Sequence, residues 1–201
     1  MKPQILALLG SPLPDGNTAK LLKKSVSGAE EAGCDVRVIQ VPDLSLSSCR
    51  EFYFCRENEA CMMEDDVSPL YPVFREMDSL IIATPVMTMG IPGHLKSFMD
   101  RFQVFYCAKY ERKNRLVSKE KRSVRKTLFL SISGMNLPNN FDGVKISAEA
   151  FCDIIDCPYD DELLIRDMDH KVDLDRFPDL LNEAYLKGFR LGGLLTGAYQ
   201  G

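Results

Sequence analysis

The chain is 201 residues long, 45% hydrophobic and 27% charged, values that suit one self-sufficient globular unit and exclude a disordered or fibrous chain. Its 25 basic and 29 acidic side chains leave a formal charge of −4, which gives no reason to expect nucleic acid as a partner. ILALL near the start is too short for a membrane span and wrongly flanked for a secretion signal, so a cytoplasmic protein without membrane attachment is expected, and seven cysteines, an odd number, argue against a disulfide framework.

QILALLG reads as a buried strand ending at Gly10. A helix follows from about Thr18 to Ala32, closed by Gly33, because Ala19, Leu22, Val26 and Ala29 recur at three- and four-residue steps. CDVRVIQV, with Val36, Val38 and Val41, is a second strand, and strand, loop, helix, strand is the parallel crossover unit. Residues 42–66 carry three cysteines and no period. VSPLYPVFREMD supplies a short helix and SLIIATP a third strand ending at Pro85. The turn VMTMGIPG then leads into a helix, HLKSFMDRFQVFYCA. After a basic connector at about 109–126, KTLFLSISG is a fourth strand ending at Gly134. FDGVKISAEAFCDII, PYDDELLIRDM and PDLLNEAYLKGFRLGGLLTG read as helix, strand and helix.

Strands that are apolar throughout, each followed by a helix, require a sheet covered on both faces. The expected class is α/β: an open, doubly wound, five-stranded parallel sheet over residues 1–201, with an insertion at about 42–66. Five strands are too few for a closed eight-fold barrel.

In such a sheet the ligand crevice lies beyond the carboxyl ends of the strands, where GSPLPDGNT sits. Glycines allow close backbone turns, Ser11 and Thr18 carry hydroxyls, Asn17 carries an amide, and the next helix presents unpaired N–H groups. Gly16 is followed by Asn17 rather than by the lysine of a triphosphate loop, and the dinucleotide pattern Gly-x-Gly-x-x-Gly is missing. A neutral cradle for one terminal phosphate is the reading; an ordinary strand-to-helix turn capped by Asn17 or Thr18 is the alternative. At the third strand's end, Pro85, Met87 and Met89 can wall a flat ring, though methionines also serve as core filler.

GSPLPDGNT, the cysteine insertion followed by MEDDV, ATPVMTMGIPGHLKSFMDR and SISG together resemble the flavodoxin-like family of NAD(P)H-dependent FMN reductases, and within it the iron–sulfur flavoprotein branch. The resemblance implies that Ser11, Gly16, Asn17 and Thr18 hold the FMN phosphate. It places Pro85, Val86, Met87, Thr88, Met89 and Gly90 beside the ribityl chain and ring, and Ser131, Ser133, Gly134 and Met135 closing the site. Lys96, Asp100 and Arg101 are implied to be architectural. Met87 departs from the family, which often has an aromatic residue there.

Cys49, Cys55 and Cys61 are the candidate metal ligands. The iron–sulfur branch has four cysteines here, the first three separated by two residues each, and Phe52 fills the second place. Three thiolates can hold three corners of a four-iron cluster, with the fourth iron left to water, a substrate or a ligand from elsewhere, or they can hold a three-iron cluster; a vestigial or redox-sensitive loop and a zinc site are the alternatives. Cys34, Cys107, Cys152 and Cys157 read as packed small hydrophobes, with Cys107 able to approach if the segment after Arg101 folds back.

Lys109 to Lys126 holds nine basic residues against two acidic ones, a connector able to attract a pyridine nucleotide or an acidic ferredoxin-like protein. His94 reads as a helix-start or interface residue and His170 as a surface residue. No triad, carboxylate pair or histidine metal pair stands out, so no catalytic side chain is assigned and the chemistry is placed on N5 of FMN. Three functions stay open: an FMN-dependent oxidoreductase or electron-transfer flavoprotein that relays electrons to an iron–sulfur cluster, a cluster-free NAD(P)H-dependent flavin or quinone reductase, and a redox-responsive protein-binding module. A homo-oligomer is implied by the resemblance.

Overall fold

The computed structural model describes residues 2–198. Five strands, β1 (Gln4–Leu9), β2 (Asp35–Gln40), β3 (Ser79–Pro85), β4 (Thr127–Ile132) and β5 (Tyr159–Ile165), form one sheet in the order β2-β1-β3-β4-β5. Every pairing is parallel, so the expected flavodoxin-like architecture is the one observed. The order reverses direction between β1 and β3, and that reversal opens the crevice at their carboxyl ends.

Side chains alternate across each strand, and both sets are apolar. Ile5, Ala7 and Leu9 face α1 (Asn17–Glu31) and α8 (Pro178–Thr196), through Leu21, Leu22, Ala184 and Leu191. Leu6, Leu8 and Phe129 face the other way, toward α2 (Leu70–Glu76), α3 (Gly93–Asp100), α4 (Gln103–Tyr106) and α6 (Asp142–Ile154). α5 (Lys119–Val124) and α7 (Met168–Lys171) are short pieces in connections. α1 and α8 cross closely because Gly28 and Gly188 lack side chains; a β-carbon on Gly188 would run into the Ser25 carbonyl, and one on Gly28 into that of Tyr185.

A single helix from His94 to Ala108 is expected, but the chain turns after Asp100. The Arg101 guanidinium is drawn beneath the cysteine insertion, and Phe102 enters an aromatic cluster with ring centroids 4.5 Å from Phe74 and 5.1 Å from Phe151. A π-helical turn, Cys107–Glu111, follows α4. The basic connector is more committed than a solvated strand of charge. Buried Arg125 donates to the carbonyls of Phe74, Arg75 and Met77 at the end of α2 and of Ile155 at the end of α6, a favourable place for a cation because those carbonyls lack helical partners. Lys121 pairs with Asp78, and Lys109 with Asp153. Among the described residues no helix is long and apolar enough to cross a membrane.

Candidate functional site

The adjacency and common direction of β1, β3 and β4 bring three loops to one edge of the sheet. Backbone bonds tie them together: Gly10 N–H donates to the Ala83 carbonyl at 2.8 Å, and Val86 N–H to the Ile132 carbonyl at 2.8 Å. Ser131 Oγ, fully buried, donates to the Thr84 carbonyl at 2.9 Å. Gly10 packs closely against α3, and a β-carbon there would require the Leu95 methyl to move.

In the first loop, Ser11 Oγ accepts from Leu13 N–H at 3.2 Å, and Gly16 N–H donates to the Leu13 carbonyl at 3.2 Å. These bonds turn the chain so that Gly16 starts α1, whose end carries no side-chain cap. Thr18 lies buried in the first helical turn. The N–H groups of that turn have no helical acceptors, and the helix dipole makes this end positive. The Asn17 carboxamide, expected to face a phosphate, is used elsewhere: it donates to the Val172 carbonyl at 2.8 Å and accepts from Leu174 N–H at 3.0 Å. It thereby fixes the connection after β5, where Val172 adopts a φ of 64° that disfavours a β-branched residue. Lys20 is equally committed. Hydrogen bonds to Asp173 and Asp175 hold its pKa above the ordinary value, leaving the cradle without a free cation from this side chain.

The second loop is a tight reversal. Met87 N–H donates to the Gly90 carbonyl at 2.9 Å and Gly90 N–H returns to the Met87 carbonyl at 3.0 Å. Thr88 and Met89 between them have φ values of 49° and 60°, a two-residue turn usually built from Asn and Gly. The turn is supported from below by α6, where Gly143 lies so close that a β-carbon would meet the Met89 carbonyl. Met87 and Thr88 are exposed at the tip, while Pro85, Val86, Met89 and Gly90 are half-buried.

At the end of β4, Ser133 is buried and its N–H donates to the Ile165 carbonyl at 2.9 Å. The Gly134 carbonyl accepts from Asp169 N–H at 3.1 Å, and Met135 is exposed. Two residues without a sequence signal support this loop. Asp169 packs where a side chain on Gly134 would lie, and buried Asn140 donates to the Met135 carbonyl while its own Oδ1 has no partner among the described residues.

The cysteine insertion is held at its rim rather than by a fold of its own. His94 Nε2 donates to the Leu44 carbonyl at 3.1 Å, and Ser45 N–H donates to the Asp66 carboxylate at 2.7 Å. Arg101, its side chain 0% exposed, is ion-paired with Asp65 and donates to the Ser47 carbonyl at 3.0 Å. Burial would raise the Asp65 pKa, but Arg101 and the Val67 N–H outweigh it and hold the carboxyl below its usual value. Lys96 and Asp100 pair with each other one turn apart, on the surface of α3. His170 lies on the surface beside Asp167, as expected.

Cys49, Cys55 and Cys61 line one cavity of about 570 Å³ together with Cys107, which arrives from the π-helical turn. Cys55 Sγ lies 3.8 Å from Cys107 Sγ. Cys61 Sγ instead accepts from Arg101 Nη2 and from Met63 N–H, each at 3.5 Å. Phe52 also lines the cavity, between Glu51 and Tyr53, both with left-handed φ. Burial pushes the Cys107 thiol up to about 12 and that of Cys55 upward. The sulfurs are thus divided between different partners, and among the described residues no group of three or more His, Cys, Asp or Glu side chains is arranged to hold a metal ion. The expected ligand set Cys49, Cys55 and Cys61 is therefore not assembled as a metal site among the described residues. Cys34, Cys152 and Cys157 are packed in the interior, as expected.

The family model for NADPH-dependent FMN reductases matches residues 3–136, which includes all three crevice loops up to Met135 and the whole cysteine insertion. An iron–sulfur flavoprotein of Methanocaldococcus jannaschii is 32% identical over 98 residues, 49% of this chain and 51% of the relative. The chain spans about half the length of the curated relatives it matches. Among solved structures, an NAD(P)H:quinone oxidoreductase from Methanothermobacter marburgensis superposes with a TM-score of 0.68 at 17% identity, over 95% of this chain and 100% of that one. An FMN-dependent NADH-azoreductase from Bacillus anthracis, in complex with FMN, does so with 0.67 at 12% identity, over 96% and 100%. At these identities the structures speak for the shared fold.

Proposed function

We propose that this chain, which belongs to the NADPH-dependent FMN reductase family, binds FMN in the crevice at the ends of β1, β3 and β4 and works as a cluster-free NAD(P)H-dependent reductase of flavins or quinones. The observation that carries the reading is the uncapped start of α1 beneath a loop without a cationic side chain, beside two further loops locked to it through the sheet. Such a helix end suits a phosphate without needing a cationic side chain.

FMN, when bound, supplies hydride acceptance and onward electron transfer. The chain's own residues would bind and orient it. N–H groups at the start of α1, with the Thr18 hydroxyl, would hold the phosphate, while Ser11 and Asn17 act by fixing the loop. Pro85 to Gly90 would run beside the ribityl chain and ring, with Met87 and Met89 as the apolar contacts. Ser133, Gly134 and Met135 would close the pyrimidine side, with buried Ser131 acting through its bond to the Thr84 carbonyl. Among these residues no side chain is an acid or base, which agrees with chemistry that needs none at N5. The commitment of Lys109, Lys121 and Arg125 to internal partners favours a small-molecule acceptor over an acidic ferredoxin-like protein. A second copy closing the open side of the crevice belongs to the same proposal.

Purified chain mixed with excess FMN and desalted should retain a stoichiometric flavin spectrum that bleaches with NADPH or NADH and returns when a quinone is added. Failure to retain FMN would overturn the reading and leave the protein-binding module. Retention without bleaching by either nucleotide would overturn the donor, and sedimentation would read the assembly.

A further inference from the structure

We propose that Cys55 and Cys107 form a redox-active dithiol that exchanges with a low-molecular-weight disulfide entering the cysteine-lined cavity. The site is separate from the flavin crevice and does not depend on flavin for its chemistry.

The two sulfurs are 3.8 Å apart although the residues are 52 positions apart in sequence. Closing that gap to a disulfide bond of about 2 Å needs a shift of less than 2 Å. The backbone is arranged for it by one residue, Arg112. Its guanidinium donates to the Cys55 carbonyl, and its own N–H donates to the Cys107 carbonyl at 2.8 Å. Arg112 therefore holds the short 3₁₀ turn Phe54–Arg56 over the π-helical turn Cys107–Glu111. A π-helical turn is an uncommon device, frequent at functional sites; here it carries Cys107 into the cavity.

The thiols are unequal in access. Cys55 is half-buried and Cys107 is buried, the order expected of an attacking thiol and a resolving thiol behind it. Arg50 and Arg56 line the same cavity beside Glu51, Asp100 and Glu111, and Arg56 is ion-paired with Glu111, which leaves Arg50 to meet a carboxylate of the disulfide. Cys61 is occupied by Arg101 and the Met63 N–H, so it does not compete with Cys107 for Cys55.

The exchange balances in two displacements. Cys55, its proton passing to water, attacks one sulfur of the small disulfide, forming a mixed disulfide and expelling a thiolate that takes up a proton. Cys107, its proton passing to water, then attacks the Cys55 sulfur and expels the second small thiol. Two protein thiols are oxidised to one disulfide, and one small disulfide is reduced to two thiols.

The test uses the full chain with bound flavin, incubated anaerobically with oxidised glutathione, quenched in acid, alkylated and mapped by peptide mass spectrometry. The expected result is paired loss of two free thiols, a linked peptide joining Cys55 to Cys107, reversal by dithiothreitol and unchanged flavin content. Cys107→Ser should trap the glutathione adduct on Cys55, at a level roughly tenfold above the unsubstituted chain, because the resolving step is gone. If that variant does not fold, the peptide map of the unsubstituted chain decides alone. Linkage of Cys55 to Cys49 or Cys61, or no loss of thiols, would overturn the proposal. So would anaerobic loading with ferrous iron and sulfide that yields stoichiometric iron and acid-labile sulfide dependent on Cys107.

Discussion

The crevice loops and the cysteine insertion are both irregular backbone, and both contain non-glycine residues in left-handed conformations: Thr88 and Met89 in one, Glu51 and Tyr53 in the other. They differ in what holds them. Each crevice loop is a few residues long, starts from a buried strand and is bonded to its neighbour strand within one or two residues. The insertion runs for some twenty-five residues without a strand or α-helix and is anchored by side chains, chiefly Arg101 with Asp65. Strain beside a sheet is over-determined by the ladder; strain in the insertion depends on a few ionic and polar contacts.

Replacing Arg101 is the harshest way to test that difference. Arg101→Met leaves Asp65 and three backbone carbonyl or sulfur acceptors without their donor. Breaking a buried ion pair by removing one partner costs about 3–5 kcal/mol. Urea unfolding should show that loss, and hydrogen exchange should show it concentrated in residues 45–66, with the amides of β1, β3 and β4 still protected. Uniform loss of protection would mean that the two regions are one cooperative unit.

A smaller change directed at the crevice reverses the pattern. Gly143→Ala forces the start of α6 away from the Met89 carbonyl, and overpacking of this kind costs about 1–3 kcal/mol. FMN affinity, read by fluorescence titration, should weaken by roughly five- to a hundred-fold on the proposed reading. The thiol reactivity of Cys55 should stay unchanged. A variant that binds FMN normally would remove the turn at 87–90 from the flavin site.

These two substitutions also mark where the sequence is legible. Ile5, Leu6, Ala7 and Leu8 announce a strand buried on both faces, and Ala19, Leu22, Val26 and Ala29 announce α1, because local periodicity records which face is covered. The loops then follow from strand ends and topology. What stays hidden is set by long-range packing. Asn17 meets Val172 across 155 positions, Cys107 meets Cys55 across 52, and nothing around Arg101 signals that its guanidinium is fully buried. The break between α3 and α4 is invisible for the same reason, since it coincides with Arg101 pairing with Asp65 and Phe102 entering the aromatic cluster.

Acid offers a milder way to loosen the insertion, because it discharges Asp65 while leaving the Arg101 donors to the Ser47 and Met63 carbonyls in place. The folded-state pKa of Asp65 lies below its ordinary 3.8. Its ionised form therefore stabilises the fold above about pH 4, and that contribution is lost as pH falls through the depressed value. Limited proteolysis should cut the insertion at a higher pH than the crevice loops. Asp65→Asn should be cut more readily at neutral pH and show a flatter dependence below it; an unchanged profile would place the acid sensitivity elsewhere.

The smallest effect belongs to Met87, whose side chain is 44% exposed at the tip of the turn. Little packing is lost on truncation, so Met87→Ala should change unfolding stability by no more than about 0.5 kcal/mol. If the thioether lies against the flavin ring, losing the sulfur–aromatic contact removes about 0.3–1.5 kcal/mol, at most roughly tenfold in FMN affinity. Met87→Tyr restores an aromatic side chain at the position where the family often has one, and should recover that affinity without altering stability. Equal affinity in all three proteins would show that the tip points away from the ring, leaving Met89, half-buried at the next position but one, as the apolar wall of the proposed site.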